Sequence, residues 1–271
     1  MHILVPILVL GSVLYSKAQS VSTRLGGRAA AMGYASFSAA DASAFFNNVG
    51  ALARITQSTV HFCYEVATQI PGANRTGVAL SLATPVGTAA IGIFRFGDPL
   101  YNEQILSVAF GNRIGITSLG SKINYVQYQA DGFGTRSAVT IDLGGLTQIT
   151  PQVSVGAGIF NITQSNISDD EELPVILVAA LGFQPNQQFL LAIEIEKRAA
   201  SPAAFKTGVE YSIYKKLFIR TGFNLNPTAV FGGIGTKTNR ISIDYAMKFS
   251  YTLGFTHQAS ASLQLKSPHK K

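Results

Sequence analysis

The sequence predicts an all-β fold: a transmembrane antiparallel β-barrel of about 14 strands, with an N-terminal plug, or hatch, in its lumen. Three observations carry this reading. Charged residues make up only 13% of the 271, well below the ~25% usual in soluble domains, while 47% are hydrophobic. From residue 57 onward, one short segment follows another, rich in β-branched and aromatic residues and often alternating in polarity. The connections between these segments also alternate in length, as the periplasmic turns and external loops of outer-membrane barrels do. Intrinsic disorder is excluded, because it needs dense charge and few hydrophobic residues.

The first element is a short apolar run from Ile3 to Leu14, interrupted by Pro6 and Gly11 and followed by Ser16-Lys17-Ala18. Small residues three and one before a cut after Ala18 read as a secretory signal peptide over 1–18, and the run is too short to span a bilayer. The next segment, 19–56, does not alternate. Ser38 or Asp41 is placed to cap a short helix, and Asn47-Asn48 ahead of Gly50 reads as a turn. A stretch of this length without strands, ahead of a barrel, suits a plug. Within it Phe37, Phe45, Phe46 and Leu52 are candidates to line a pocket for a hydrophobic solute, or to pack the plug against the wall.

The barrel is expected over 57–266. Strands are placed near 57–66, 76–84, 88–96, 104–113, 117–128, 137–147, 152–161 and 174–184, then 188–197, 205–214, 217–225, 229–236, 240–249 and 253–265. Their lengths suit strands tilted across a bilayer, and no segment reaches 18 uninterrupted apolar residues. Gaps 67–75, 97–103, 129–136, 162–173 and 198–204 are long, whereas 85–87, 114–116, 148–151, 185–187, 215–216 and 237–239 are short. The external gaps 226–228 and 250–252 are short as well. A basic tail, 267–271, closes the chain.

Parity supplies the faces. Leu217, Ile219, Thr221, Phe223 and Leu225 share one side of their strand, with Arg220 and Asn224 on the other. Ile241, Ile243, Tyr245, Met247 and Phe249 likewise oppose Ser242, Asp244 and Lys248. A polar interior with an apolar exterior is the inversion expected of a membrane barrel. The inner face then carries Glu194, Glu196, Lys206, Glu210, Arg220, Asp244 and Lys248. Opposite charges on adjacent strands sit close enough to pair, so these read either as a lattice bracing a narrow lumen or as a polar path for a solute.

Several chemistries are excluded. The net charge of +7 is scattered, with no basic stripe beside stacking aromatics, so no nucleic-acid partner is expected. A lone cysteine, Cys63, excludes a disulfide framework and a Cys-based zinc cluster. His61 shares a face with Cys63 and Glu65, which reads as polar lining rather than a metal site. Parity turns His257 outward, away from Ser260 and Asp244, so no nucleophile has a base. Gly26-Gly27 and Gly144-Gly145 lack the spacing of a phosphate loop. The acidic run Asp169-Asp170-Glu171-Glu172 lacks the spaced ligands of a calcium site and reads as a solvated external loop. No catalytic residue, metal or cofactor is expected.

Two sets of short motifs occur in order. Near the start are Gly26-Gly27-Arg28-Ala29-Ala30-Ala31-Met32-Gly33, Asp41 to Ala44, and Asn47 to Leu52. Near the end are Gly208-Val209-Glu210-Tyr211, Arg220-Thr221-Gly222-Phe223, Asp244-Tyr245-Ala246 and Leu253-Gly254-Phe255-Thr256-His257. On these the chain resembles the FadL-type outer-membrane barrels, and most of all the PorV and PorQ branch associated with type IX secretion. The plug motif then comprises Gly26, Gly27, Arg28, Met32, Gly33, Asp41, Asn47, Asn48 and Gly50. The family usually has Asn-Pro-Ala-Gly where this chain has Asn47-Asn48-Val49-Gly50. The resemblance implies a hatch-bearing barrel in the outer membrane of a diderm bacterium, surrounded by its lipid. It also implies one of two roles. The first is a secretion component whose loops and plug bind translocon proteins. The second is a transporter of long-chain fatty acids or other hydrophobic small molecules, which requires an apolar pocket near the plug and a break in the wall.

Overall fold

The computed structural model describes residues 22–168, 171–199, 201–214 and 216–265. The expected signal peptide, 1–18, and the basic tail, 267–271, lie outside the described residues. Alternating apolar and polar residues produce strands throughout the barrel region: β1 (Thr59–Ala67), β2 (Arg75–Thr84), β3 (Gly87–Gly97), β4 (Tyr101–Ile114), β5 (Thr117–Ala130), β6 (Gly134–Gln148), β7 (Val153–Phe160) and β10 (Ile176–Phe183). They continue as β11 (Phe189–Arg198), β12 (Ala204–Ile213), β13 (Leu217–Leu225), β14 (Ala229–Lys237), β15 (Ile241–Ser250) and β16 (Gly254–Gln264). These 14 close into one antiparallel barrel, with β1 laddered to β16 from Thr59↔Gln264 to Ala67↔Thr256. Two further short strands, β8 (Asn166–Ser168) and β9 (Glu171–Glu172), pair with each other inside the β7–β10 connection, where the acidic run lies.

Every expected strand forms, but the expected long–short rhythm of the connections is weaker. β4 begins at Tyr101, and β5 and β6 run on to Ala130 and from Gly134, so these two connections shrink to 98–100 and 131–133. The polar residues there continue the ladder, from Tyr101↔Ala130 on one side and Ala130↔Gly134 on the other. Hydrogen bonding between neighbours thus extends strands into sequence too polar to read as strand. The connections 68–74 and 161–175 remain long. The end carrying them is called upper here, and the end where β1 starts and β16 stops is called lower.

The wall is apolar outside and polar inside. Ile219 and Phe255 expose 49% and 42% of their surface on the outside, whereas Arg220, next to Ile219 on the same strand, points inward and exposes 4%. That inversion is the one a lipid solvent demands. The described residues before β1 sit inside the lumen as α1 (Gly27–Ala31), α2 (Ala44–Asn47) and a 3-10 helix (Val49–Arg54). Leu25, Phe37, Phe45, Met32 and Leu52 are fully buried, so the hydrophobic core lies between plug and wall. Inward wall positions are small where the plug backbone touches them. A Cβ on Gly50 would lie 2.5 Å from the Gly144 carbonyl oxygen, and one on Gly120 would collide with that of Val49. Only glycine permits this approach.

Candidate functional site

The plug divides the lumen into two chambers of opposite character. The upper one, a cavity of about 80 Å3, lies among Phe45 and Phe46 of the plug and Phe94, Ile105, Val126, Phe160, Leu173 and Ile176 of the wall and upper connection. The lower one has about 440 Å3 and is lined by Arg28, Asp41, Ser43 and Arg54 of the plug and by Ser242, Ser260, Ser262 and Gln264 of the wall.

Of the four apolar residues singled out as solute contacts, α2 brings Phe45 and Phe46 to the upper chamber, edge to face with ring centroids 5.1 Å apart. Phe37 is sealed against β7, where added carbons on Gly156 or Gly158 would overlap it, and Leu52 is sealed against Gly111. These last two pack the plug and do not reach either chamber.

The upper chamber backs onto a seam in the wall. β6 pairs with β5 over its whole length but with β7 only from Leu143 to Gln148. Above Leu143 the connection 161–175 takes over. Ile162 N donates to Ile141 O at 2.8 Å, Ser165 Oγ to Val139 O at 2.5 Å, and Asn161 N to Asp142 Oδ1 at 2.9 Å. Asn161 Nδ2 also donates to Leu173 O at 2.8 Å, tying the two ends of the connection together. Asp142 faces the chamber too. Its Oδ2 accepts from Asn124 at 3.0 Å and lies 3.2 Å from Lys122 Nζ, whose ammonium sits 5.6 and 5.9 Å from the Phe45 and Phe160 rings. Lys206, by contrast, contacts two carboxylates, Glu196 at 2.5 Å and Glu194 at 3.3 Å. Lys122 pairs with Asp142 alone among the described residues.

The inward charges form a plug lock. Arg24 bonds Glu194, and also Glu196 at 3.3 Å; Lys206 joins the same two carboxylates. Glu194 Oε2 further accepts from the backbone N–H groups of Ser36 and Phe37. Arg28 forks onto Glu210 at 2.7 and 2.9 Å and reaches Asp41 at 2.8 Å. Arg220 then bridges Glu210 (2.6 Å) to Asp244 (2.7 Å), crossing β14 at Gly235, which has no side chain to block it. Asp41 is partly buried, which raises its carboxyl, but the Arg28 charge and the Ser43 hydrogen bonds outweigh burial and hold it below its usual range. Lys248 is a correction to the expected network. It makes no ion pair with a described residue, because Glu65, whose charge reaches it, is already held by Arg75 at 2.7 and 2.5 Å.

The rest of the plug motif is structural in its contacts. Gly26 and Gly33 adopt φ of 128° and 64°, and Gly27 and Met32 press on Asp244 and Gly208. Asn47 Nδ2 donates to Leu25 O at 2.7 Å. Asn48, where the FadL-type resemblance implies proline, accepts from Gly50 N at 2.9 Å and donates to Phe37 O and Gly145 O at 2.6 and 3.1 Å. It fixes the turn by hydrogen bonds instead of by a ring. Sequence reading missed Arg24, Glu65, Arg75, Lys122 and Asp142 as network members. Lys122 and Asp142 were legible in principle, being an inward pair on adjacent strands in direct register. Arg24 was not, since nothing local fixes which strand a plug residue meets.

No protein-family model matches the chain, and no curated protein matches it either. Solved structures do. The chain is similar to the CymD monoaromatic hydrocarbon channel with a TM-score of 0.72 and 13% identity, covering 92% of this chain and 99% of that one. It is similar to a Pseudomonas aeruginosa FadL homologue (TM-score 0.68, 10% identity, 93% and 100% covered). The Ralstonia pickettii toluene transporter TbuX gives 0.64 and 14%, with 90% and 99% covered. The fold is that of a FadL-type barrel. At these identities the likeness is one of fold, and nothing in it singles out the PorV and PorQ branch.

Proposed function

We propose that the chain is a non-enzymatic barrel of the outer membrane of a diderm bacterium that passes compact hydrophobic solutes sideways, from the upper chamber through the β6–β7 seam into lipid. One observation carries the reading: the apolar chamber lies directly behind the part of the wall where the strand ladder gives way to a loop. Thr140 and Asp142 on one side of the seam, and Phe160, Asn161 and Leu173 on the other, all line that chamber. A straight route through the lumen is blocked by a plug locked through buried ion pairs. The apolar lining suits a solute that gains by leaving water. The similar folds are named as a hydrocarbon channel and a toluene transporter, which supports transport over the secretion role.

Uptake of radiolabelled toluene into proteoliposomes tests this. Ile105→Trp fills the chamber and is expected to cut uptake roughly tenfold while the heat-modifiable gel shift persists. A disulfide between Ile141→Cys and Ile162→Cys, introduced across the seam, is expected to stop uptake until reductant is added. Normal uptake with the seam locked would end the lateral route. Uptake no faster than in empty liposomes, together with co-purification of a large translocon from native membranes, would return the protein to secretion.

A further inference from the structure

The two rims differ in charge. The upper rim mixes signs, with Asp98, Asp131 and Glu172 among Arg95, Arg136 and Lys197. On the lower rim, every charged side chain among the described residues is a cation: Arg54, Arg113, Lys216, Lys237 and Arg240. None of the five joins an ion pair with a described residue. Arg54 spends its donors on neutral acceptors: Ser118 Oγ at 3.1 Å, Gln148 Oε1 at 3.2 Å, and the carbonyls of Ile116 and Leu146 at 3.0 and 3.3 Å. Arg113 Nε bonds only the Gly115 carbonyl, at 2.9 Å. The guanidinium of Arg54 titrates lower than usual, from burial and from the Arg113 charge beside it.

This is the reverse of the plug lock, where each arginine meets carboxylates. Like charges gathered without counter-charge cost free energy, and the cost falls when an anion arrives. The placement says which anion. Arg54, Lys237 and Arg240 line the mouth of the lower chamber, inside the ring of strands. Lipid surrounds the barrel from outside and does not enter that mouth. The three carboxylates that line the chamber, Asp41, Glu210 and Asp244, are already bonded to Arg28 and Arg220 and leave the rim cations unneutralised. Behind the cations the wall offers hydroxyls and amides of Thr59, Ser242, Ser260, Ser262 and Gln264, which suit an extended polar chain. The space, about 440 Å3, exceeds what one small anion fills.

We propose that the cationic mouth of the lower chamber docks an acidic segment of a soluble protein. The proposal is independent of the transported solute, because the mouth lies on the far side of the plug from the apolar chamber. Charge complementarity of this kind speeds encounter and weakens with salt.

The test uses the full chain in phosphatidylcholine nanodiscs and a short fluorescein-labelled peptide of alternating Glu and Gly, read by anisotropy. Binding at low salt is expected, and Lys237→Gln with Arg240→Gln should weaken it roughly tenfold. Both side chains are exposed and have no ionic partner among the described residues, so folding is expected to be unaffected, which the gel shift checks. Arg136→Gln with Lys197→Gln, on the upper rim, should leave affinity unchanged. Equal affinity of the two double variants would overturn the proposal. So would complete displacement of the peptide by inorganic phosphate at equal charge, which would mark a small-anion site. Loss of binding when phosphatidylglycerol replaces phosphatidylcholine would assign the cations to the bilayer and also overturn it.

Discussion

The two chambers on either side of the plug are built by opposite rules from one short segment of chain. Above, the plug presents Phe45 and Phe46 to Phe94, Ile105 and Val126, and the charged groups on the lining are paired: Arg24 and Arg198 with Glu196, and Lys122 with Asp142, which also holds Asn124. Below, it presents Arg28, Asp41 and Arg54 to hydroxyls, amides and charges. An apolar chamber gains when a solute replaces water, whereas a polar one keeps its water and attracts ions. The plug keeps the two media apart, so what fixes the plug also fixes the difference between the chambers.

The largest expected effect comes from Arg24→Met. It leaves Glu194 buried with Lys206 as its remaining cation, and Glu196 with Lys206 and the partly exposed Arg198, at a cost of about 3–5 kcal/mol. Thermal unfolding in detergent should shift downward strongly, and planar-bilayer recordings should show ion conductance as the chambers join. A wild-type melting point would mean that the plug is held by packing alone.

Next is Gly120→Ala. The added methyl meets the Val49 carbonyl and must push the 3-10 helix off β5, costing about 1–3 kcal/mol. Limited proteolysis should cut within 49–54 faster than in the unaltered protein, with the barrel itself intact. Gly232→Ala is the control, since an added carbon there meets nothing within 4 Å.

Asn48→Ala should cost about 1 kcal/mol, because Gly50 N and the Phe37 carbonyl lose their partner. Proline at this position restores a rigid turn but removes those bonds, so Asn48→Pro should not recover the loss. Recovery to wild-type stability would show that turn geometry, and not hydrogen bonding, is what Asn48 supplies.

The smallest effect is set by pH. Asp41 titrates below its usual range in the folded protein, so its stabilisation is present above the unfolded carboxylate pKa of ~3.9 and fades as pH falls through the lower, folded value. Asp41→Asn should remove about 0.5–1 kcal/mol at neutral pH and flatten that acid limb of the stability curve. An unchanged acid limb would show that other carboxylates dominate it.

The barrel was legible because a strand exposes its pattern locally. Ile241, Ile243 and Tyr245 against Ser242 and Asp244 announce two faces with two solvents, whatever the partner strands are. Parity likewise turned Glu194, Lys206, Glu210 and Arg220 inward, and neighbouring strands in an up-and-down barrel are neighbours in sequence, so their pairing needed no tertiary knowledge. Strand ends were less legible, because polar residues such as Asn102 and Gln129 are drawn into the ladder by a neighbour. The plug was least legible. Its apolar residues looked alike, yet Phe45 and Phe46 reach a chamber while Phe37 and Leu52 do not.

The sequence by itself therefore determined the wall: its strand count, its faces, and the sign of what lines it, all consequences of a period-two backbone whose neighbours are consecutive. The tertiary structure alone decided where the plug sits in that wall. Arg24 meets Glu194 across 170 residues, Val49 rests on Gly120, and the β7–β10 connection crosses the seam at Asp142. Those contacts join segments with no shared period and no fixed spacing. They are set by which surfaces fit once the ring has closed.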